Sequence, residues 1–189
     1  MNDMYILIGL GNPGHKYEKN RHNVGFQVLD QIAHMHGLSF KDDKYTFSQK
    51  ASFGAECELV KPQTFMNDSG KSAKVFKEGE IVVVYDDIDI NIGTVKCSFD
   101  RGAGGHNGVQ SIIDHVGTKA FARIRVGVRP VHEELLPRIA PPDGFEKYLL
   151  SDFAPMEYEL REQGIKRAIE IIEALKSGKT FDEVTNEFN

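Results

Sequence analysis

The sequence predicts an α/β sandwich: a twisted, mixed, mostly parallel sheet flanked by helices. Three observations carry this. Short β-rich apolar runs alternate with amphipathic stretches along the chain. One run, Ile-Val-Val-Val-Tyr at 81–85, is apolar throughout, as a strand buried on both faces requires. The length of 189 residues suffices for one compact domain with a sizeable core and is short for two. The chain is therefore read as a single domain over 1–189.

The elements follow in order. Residues 5–9 form a strand that stops at the turn signal Gly11-Asn12-Pro13-Gly14. A helix begins near Val24, because Val28, Leu29, Ile32 and Ala33 recur at helical spacing, and Gly37 ends it. Residues 50–60 read as a hairpin around Gly54, broken by Lys61-Pro62. A helix is predicted over 67–76, a strand over 81–85, further strands over 95–99 and 124–128, and a helix over 108–116 between them. The final helix, 156–177, places Ile165, Ala168, Ile169, Ile172 and Leu175 on one stripe. Four of the seven prolines fall within 130–142, so 131–144 is read as a surface loop or lid.

Composition excludes several classes. With 40% hydrophobic and 27% charged residues, the chain is neither disordered nor collagen-like. No apolar run approaches the roughly 20 residues of a membrane span. Met1-Asn2-Asp3 offers no basic leader, so no signal peptide is expected. Cys57 and Cys97 are far apart and form no C-x-x-C, which fits a reduced, cytoplasmic protein. The net charge of −5 argues against a general nucleic-acid coat, so any such contact must come from a local basic patch.

Gly9-Leu10-Gly11-Asn12-Pro13-Gly14 matches G-x-G-x-x-G after a strand. Dinucleotide binding needs a helix opening on the glycines, whereas Asn-Pro-Gly favours a plain tight turn. Gly70-Lys71-Ser72 lacks the first glycine of a phosphate loop, since Phe65 stands there. No metal-ligand spacing and no nucleophile elbow is present.

Four segments remain. Asn20-Arg21-His22-Asn23 follows the first turn, and Thr64-Phe65-Met66-Asn67 starts a helix. Tyr85-Asp86-Asp87-Ile88-Asp89 ends the buried strand, where open α/β sheets bind ligands. The glycine-rich run 102–108, containing His106 and Asn107, leads into a helix N-terminus that can offer free N–H groups. A histidine is the natural general base near neutral pH, and a carboxylate on its other nitrogen fixes the tautomer. Asparagines can hold a carbonyl and its developing oxyanion. Without a Ser or Cys nucleophile signature, the residue types point to hydrolysis by direct attack of water. Residue types alone leave the alternatives open: a surface histidine, an Asp serving as a helix cap, and asparagines serving caps and turns.

These residues closely resemble bacterial peptidyl-tRNA hydrolase. The matching blocks are Gly9 to Gly14 with Tyr17, Arg21-His22-Asn23-x-Gly25, Lys61-Pro62-x-Thr64-Phe65-Met66-Asn67-x-Ser69-Gly70, Asp86-Asp87-x-Asp89, Gly104-Gly105-His106-Asn107-Gly108 and Arg123-x-Arg125-x-Gly127. They stand in family order and cover roughly residues 5–153. The resemblance implies hydrolysis of the ester joining a peptide to the 3′ ribose of tRNA, by a monomer without metal or cofactor. It makes His22 the general base and Asp86 the carboxylate that holds it. It makes Asn12 the residue that separates blocked from free aminoacyl-tRNA, and Tyr17, Phe65, Met66, Asn67 and Asn107 the substrate-contacting set. Lys96 and Arg125 match basic positions expected to touch tRNA. Two departures predict a weaker or redistributed RNA contact: Ser98 stands where many members carry a second lysine, and 131–144 is longer and less basic than usual. The rival readings are an RNA-binding relative with idle catalysis and a dinucleotide-binding oxidoreductase.

Overall fold

The computed structural model describes residues 4–130 and 144–189. Its strands are β1 (Tyr5–Gly9), β2 (Lys41–Asp43), β3 (Ser48–Ser52), β4 (Cys57–Pro62), β5 (Ile81–Asn91), β6 (Val95–Phe99) and β7 (Ala122–Arg129). They form one sheet in the order β2-β3-β4-β1-β5-β7-β6. The four central strands β4, β1, β5 and β7 pair in parallel. The β2–β3, β3–β4 and β6–β7 pairs toward the edges are antiparallel. The sheet is thus mixed, with parallel pairing confined to its middle.

Six helices are described: α1 (Val24–Met35), α2 (Gly70–Ala73), α3 (Asn107–Val116), α4 (Gly144–Leu149), α5 (Tyr158–Lys176) and α6 (Phe181–Phe188). Strand side chains alternate between the two faces of the sheet. Leu7, Val82, Val84, Ile124 and Val126 pack with Val28, Leu29 and Ile32 of α1 and with Ile165, Ala168 and Ile172 of α5. Ile6, Ile8, Val83 and Tyr85 pack on the other side with Val109 and Ile112 of α3 and Ala73 of α2. This split is why 81–85 reads as apolar at every position.

Four elements differ from the sequence reading. The helix predicted over 67–76 is a 3₁₀ turn, Met66–Asp68, followed by the four residues of α2. Gly70 is a poor helix former, and it is used here to press α2 against α3: its N–H donates to Ser111 Oγ at 3.0 Å. β5 runs on past Tyr85 to Asn91, because its polar end still pairs with β7. β2 is three polar residues with no apolar alternation to announce it, and α6 lies beyond the predicted last helix. The α6 start does carry a signal: Thr180 accepts from the Glu183 N–H, and the Glu183 carboxylate accepts from the Thr180 N–H. The expected lid over 131–144 lies outside the described residues, except for Gly144, which opens α4. No helix among the described residues is long and apolar enough to cross a membrane.

Candidate active site

β1 ends at the glycine run without opening a helix. Only a 3₁₀ turn, His15–Tyr17, follows, so the geometry required for dinucleotide binding is not formed. Instead the chain after β1 is clamped between β5 and α1. Leu10 N–H donates to Val84 O at 2.9 Å, and Phe26 N–H donates to Leu10 O at 3.2 Å. Gly25 makes this approach possible: a Cβ there would lie 2.3 Å from Val84 O and 2.5 Å from Leu10 N.

The clamp brings Asn12 to Asn23. Asn12 N–H donates to Asn23 Oδ1, and Asn23 Nδ2 donates to Asn12 O, both at 2.9 Å. Asn12 Oδ1 in turn accepts from Met66 N–H at 2.8 Å. A backbone N–H can only donate, so the Asn12 amide is oriented without ambiguity. Its Nδ2 is left without a partner among the described residues.

His22 sits in the 3₁₀ turn Arg21–Asn23 that leads into α1. Asp86, midway along β5, is 2% exposed and receives His22 Nδ1 at 2.9 and 3.0 Å. A second histidine completes the arrangement. His106 caps α3, accepting from Val109 N–H on Nδ1 at 3.3 Å and approaching Asp86 Oδ1 through Nε2 at 3.0 Å. Because its Nδ1 accepts, its proton is on Nε2, and it donates that proton to Asp86. An ionised Asp86 also requires the His22 proton on Nδ1. The His22 Nε2 is therefore the unprotonated nitrogen, free to act on a substrate.

Electrostatics agree with this assignment. Burial alone would lower the His22 pKa, but the Asp86 charge and hydrogen bond, helped by the Glu146 charge, outweigh it and raise it above 6.5. Burial would raise Asp86, yet His22 and His106 hold it well below the ordinary carboxylate range. Among the described residues, His22, Asp86 and His106 are also a cluster whose possible ligand atoms lie within 4.8 Å of one another. Both histidine–carboxylate distances are those of hydrogen bonds, and a metal would have to displace the two bridging protons.

These groups line a cleft of about 800 Å³. Asn12, His22, Phe65, Met66, Asn67, Asp86, Asn107 and Arg125 all border it, so most of the residues singled out in sequence meet in space. Asn67 and Asn107 are exposed to it, with no side-chain hydrogen bond among the described residues. Tyr17 does not border the cleft but meets the Phe65 ring edge-on at 6.4 Å. Lys96 is exposed on β6, directly opposite Arg125 on β7, and borders a second, smaller groove. Arg125 itself is largely buried and ion-paired with Asp87. His106 was visible in sequence only as part of a glycine-rich block; a histidine directly preceding a helix start was the available signal. Arg101, Phe145 and Glu146 border the cleft as well, without any sequence pattern to mark them.

The sequence family described as "Peptidyl-tRNA hydrolase" matches residues 6–189. A peptidyl-tRNA hydrolase of Oceanobacillus iheyensis is 38% identical over 195 residues, covering 98% of this chain and 100% of that one. One from Halalkalibacterium halodurans is 39% identical over 194 residues, covering 98% and 100%. The crystal structure of peptidyl-tRNA hydrolase from Acinetobacter baumannii superposes with a TM-score of 0.84 at 28% identity, covering 100% of this chain and 96% of that one. The chain belongs to the peptidyl-tRNA hydrolase family.

Proposed function

We propose that the protein hydrolyses the ester between a peptide, or an N-blocked amino acid, and the 3′ ribose of tRNA. The observation that carries this reading is the His22–Asp86 pair, with the His22 Nε2 left free at a cleft bordered by three asparagines. A water held by Nε2 gives up a proton to it while attacking the ester carbonyl. Asp86 stabilises the imidazolium that forms. The Asn67 and Asn107 amides hold the developing oxyanion. The tetrahedral intermediate then collapses, the ester C–O bond breaks, and the departing 3′ oxygen takes the proton from His22. Free peptide and reusable tRNA result. Each step is assigned to a side chain, so the scheme calls for no metal or cofactor and suits a single-domain monomer.

Asn12 supplies selectivity. Its Oδ1 is occupied by Met66 N–H, so it offers the substrate a donor, Nδ2. A peptide carbonyl accepts that bond. A free α-ammonium is itself only a donor and cannot. Asn12→Asp keeps the Met66 contact but turns the donor into an acceptor. Cleavage of N-acetylaminoacyl-tRNA should fall on the order of 10²-fold, and the preference for it over free aminoacyl-tRNA should shrink. Initial rates on the two substrates measure this; unchanged selectivity in the variant would refute the assignment.

Lys96 is proposed as a phosphate contact for the tRNA, being exposed and without an ion pair among the described residues. The His106 link to Asp86 is proposed to hold the carboxylate in place against α3. The idle-binder reading gains no support from this geometry, since binding alone has no use for a buried base–carboxylate pair.

A further inference from the structure

β5 does not pair evenly with β7. Asp87 is opposite Gly127 and Asn91 is opposite Arg129. Between those pairs β5 carries Ile88, Asp89 and Ile90, against Val128 alone on β7. The excess forms a bulge, and bulges beside active sites re-aim side chains. Here the bulge presents Ile88 and Asp89 to the cleft that holds His22. Its return lies on the backbone of β7: a Cβ on Gly127 would meet Asn91 O at 2.2 Å and Ile90 O at 2.7 Å.

One carboxylate fastens the bulge. Asp87 Oδ1 accepts from Asp89 N–H at 2.8 Å. Asp87 Oδ2 accepts from Arg125 Nε at 2.8 Å and lies 2.7 Å from Arg125 Nη2. The two side chains are only 8% and 12% exposed. At that depth an Arg–carboxylate contact is strong and directional. The chain of contacts runs from the cation on β7, through Asp87, to the backbone of the cleft wall.

We infer that Arg125 is a positioning residue: through Asp87 it holds the β5 bulge in the shape that seats the acylated end of the substrate beside His22. The inference rests on the hydrolase reading above. It differs from the role that sequence resemblance implies for Arg125, a direct contact with tRNA phosphate. A phosphate contact acts on binding of tRNA. A wall contact acts on the rate of the chemical step, whatever is attached beyond the 3′ end.

The test compares two substrates: N-acetylaminoacyl-tRNA, and the N-acetylaminoacyl ester of the trinucleotide CCA, which lacks the acceptor stem. Asp87→Asn, Arg125→Gln and the double variant are assayed for kcat and KM on both. Each single substitution should lower kcat by a similar factor on the two substrates, on the order of 10- to 10²-fold, as misplacement of about 1 Å can. The double variant should be no worse than the more damaged single one, since both break the same chain of contacts. Asp87→Asn keeps the shape and the Oδ1 acceptor, so it carries the test if Arg125→Gln fails to fold by circular dichroism. If Arg125→Gln only raises KM for the tRNA substrate and Asp87→Asn leaves kcat unchanged on both, the inference is overturned and Arg125 is a phosphate contact. If the unaltered protein cleaves neither substrate, the hydrolase reading fails first and this inference falls with it.

Discussion

Asp86→Asn should lower kcat/KM on N-acetylaminoacyl-tRNA by on the order of 10³- to 10⁴-fold while leaving the fold intact. The amide is nearly isosteric with the carboxylate, but it presents a donor to His22 Nδ1 or His106 Nε2. Whichever histidine receives that donor must give up its proton at that nitrogen. For His22 this moves the proton to Nε2 and abolishes the base. The pH dependence gives a second readout. His22 acts only when neutral, so kcat/KM should rise with pH and level off above its pKa. In the unaltered protein that inflection should lie above the ordinary histidine value, because the Asp86 charge and hydrogen bond outweigh burial and raise the His22 pKa. Removing the negative charge removes the cause, so the residual activity of Asp86→Asn should show its inflection at lower pH. An unchanged inflection would mean that Asp86 is not what tunes His22.

Arg21→Met should cost about 3–5 kcal/mol of stability, the usual consequence of stripping one partner from a buried ion pair. Arg21 is 4% exposed and Glu157 6%. The guanidinium donates to Glu157 Oε2, to Ser151 Oγ at 2.7 Å and to Asp152 O at 2.6 Å. It also stacks over Tyr148, 4.1 Å from the ring centroid. Methionine fills much of the volume but strips the buried Glu157 carboxylate of its cation. For a chain of this size, the melting temperature should fall by roughly 10 °C. Because Arg21 precedes His22 directly, activity well below the new melting temperature should also fall. A melting temperature within 2 °C of the original, as a rough threshold, would show that the pair contributes little.

Much of the architecture was legible because the strands alternate and the helices repeat. The positions at 28, 29, 32 and 33 mark α1, and the uniform run at 81–85 marks the central strand. The continuation of β5 through Asp86 to Asn91 was not legible. A run of acidic residues resembles a loop unless its pairing partner, β7, is known. The site was partly legible for the same reason. His22, Asp86, Asn12 and Asn67 could be picked out by type and resemblance, yet nothing in the order of residues says that two histidines share one carboxylate. His106 lies 20 residues from Asp86, and its role depends on the α3 cap that orients it. Likewise Arg21 reaches Glu157 across 136 residues, and Arg125 reaches Asp87 across 38. Charge counting treats Arg125 as available for phosphate; only the ion pair shows that it is engaged.

The proposed reaction stands on His22 activating the water that releases a peptide from tRNA. Its most direct test is release of N-acetylamino acid from N-acetylaminoacyl-tRNA by the unaltered protein and by His22→Ala, with free aminoacyl-tRNA as the control. The expected result is cleavage of the blocked substrate only, and a rate for His22→Ala lower by on the order of 10²- to 10⁴-fold with tRNA affinity retained. Binding of tRNA without cleavage by the unaltered protein, or full activity in His22→Ala, would contradict it.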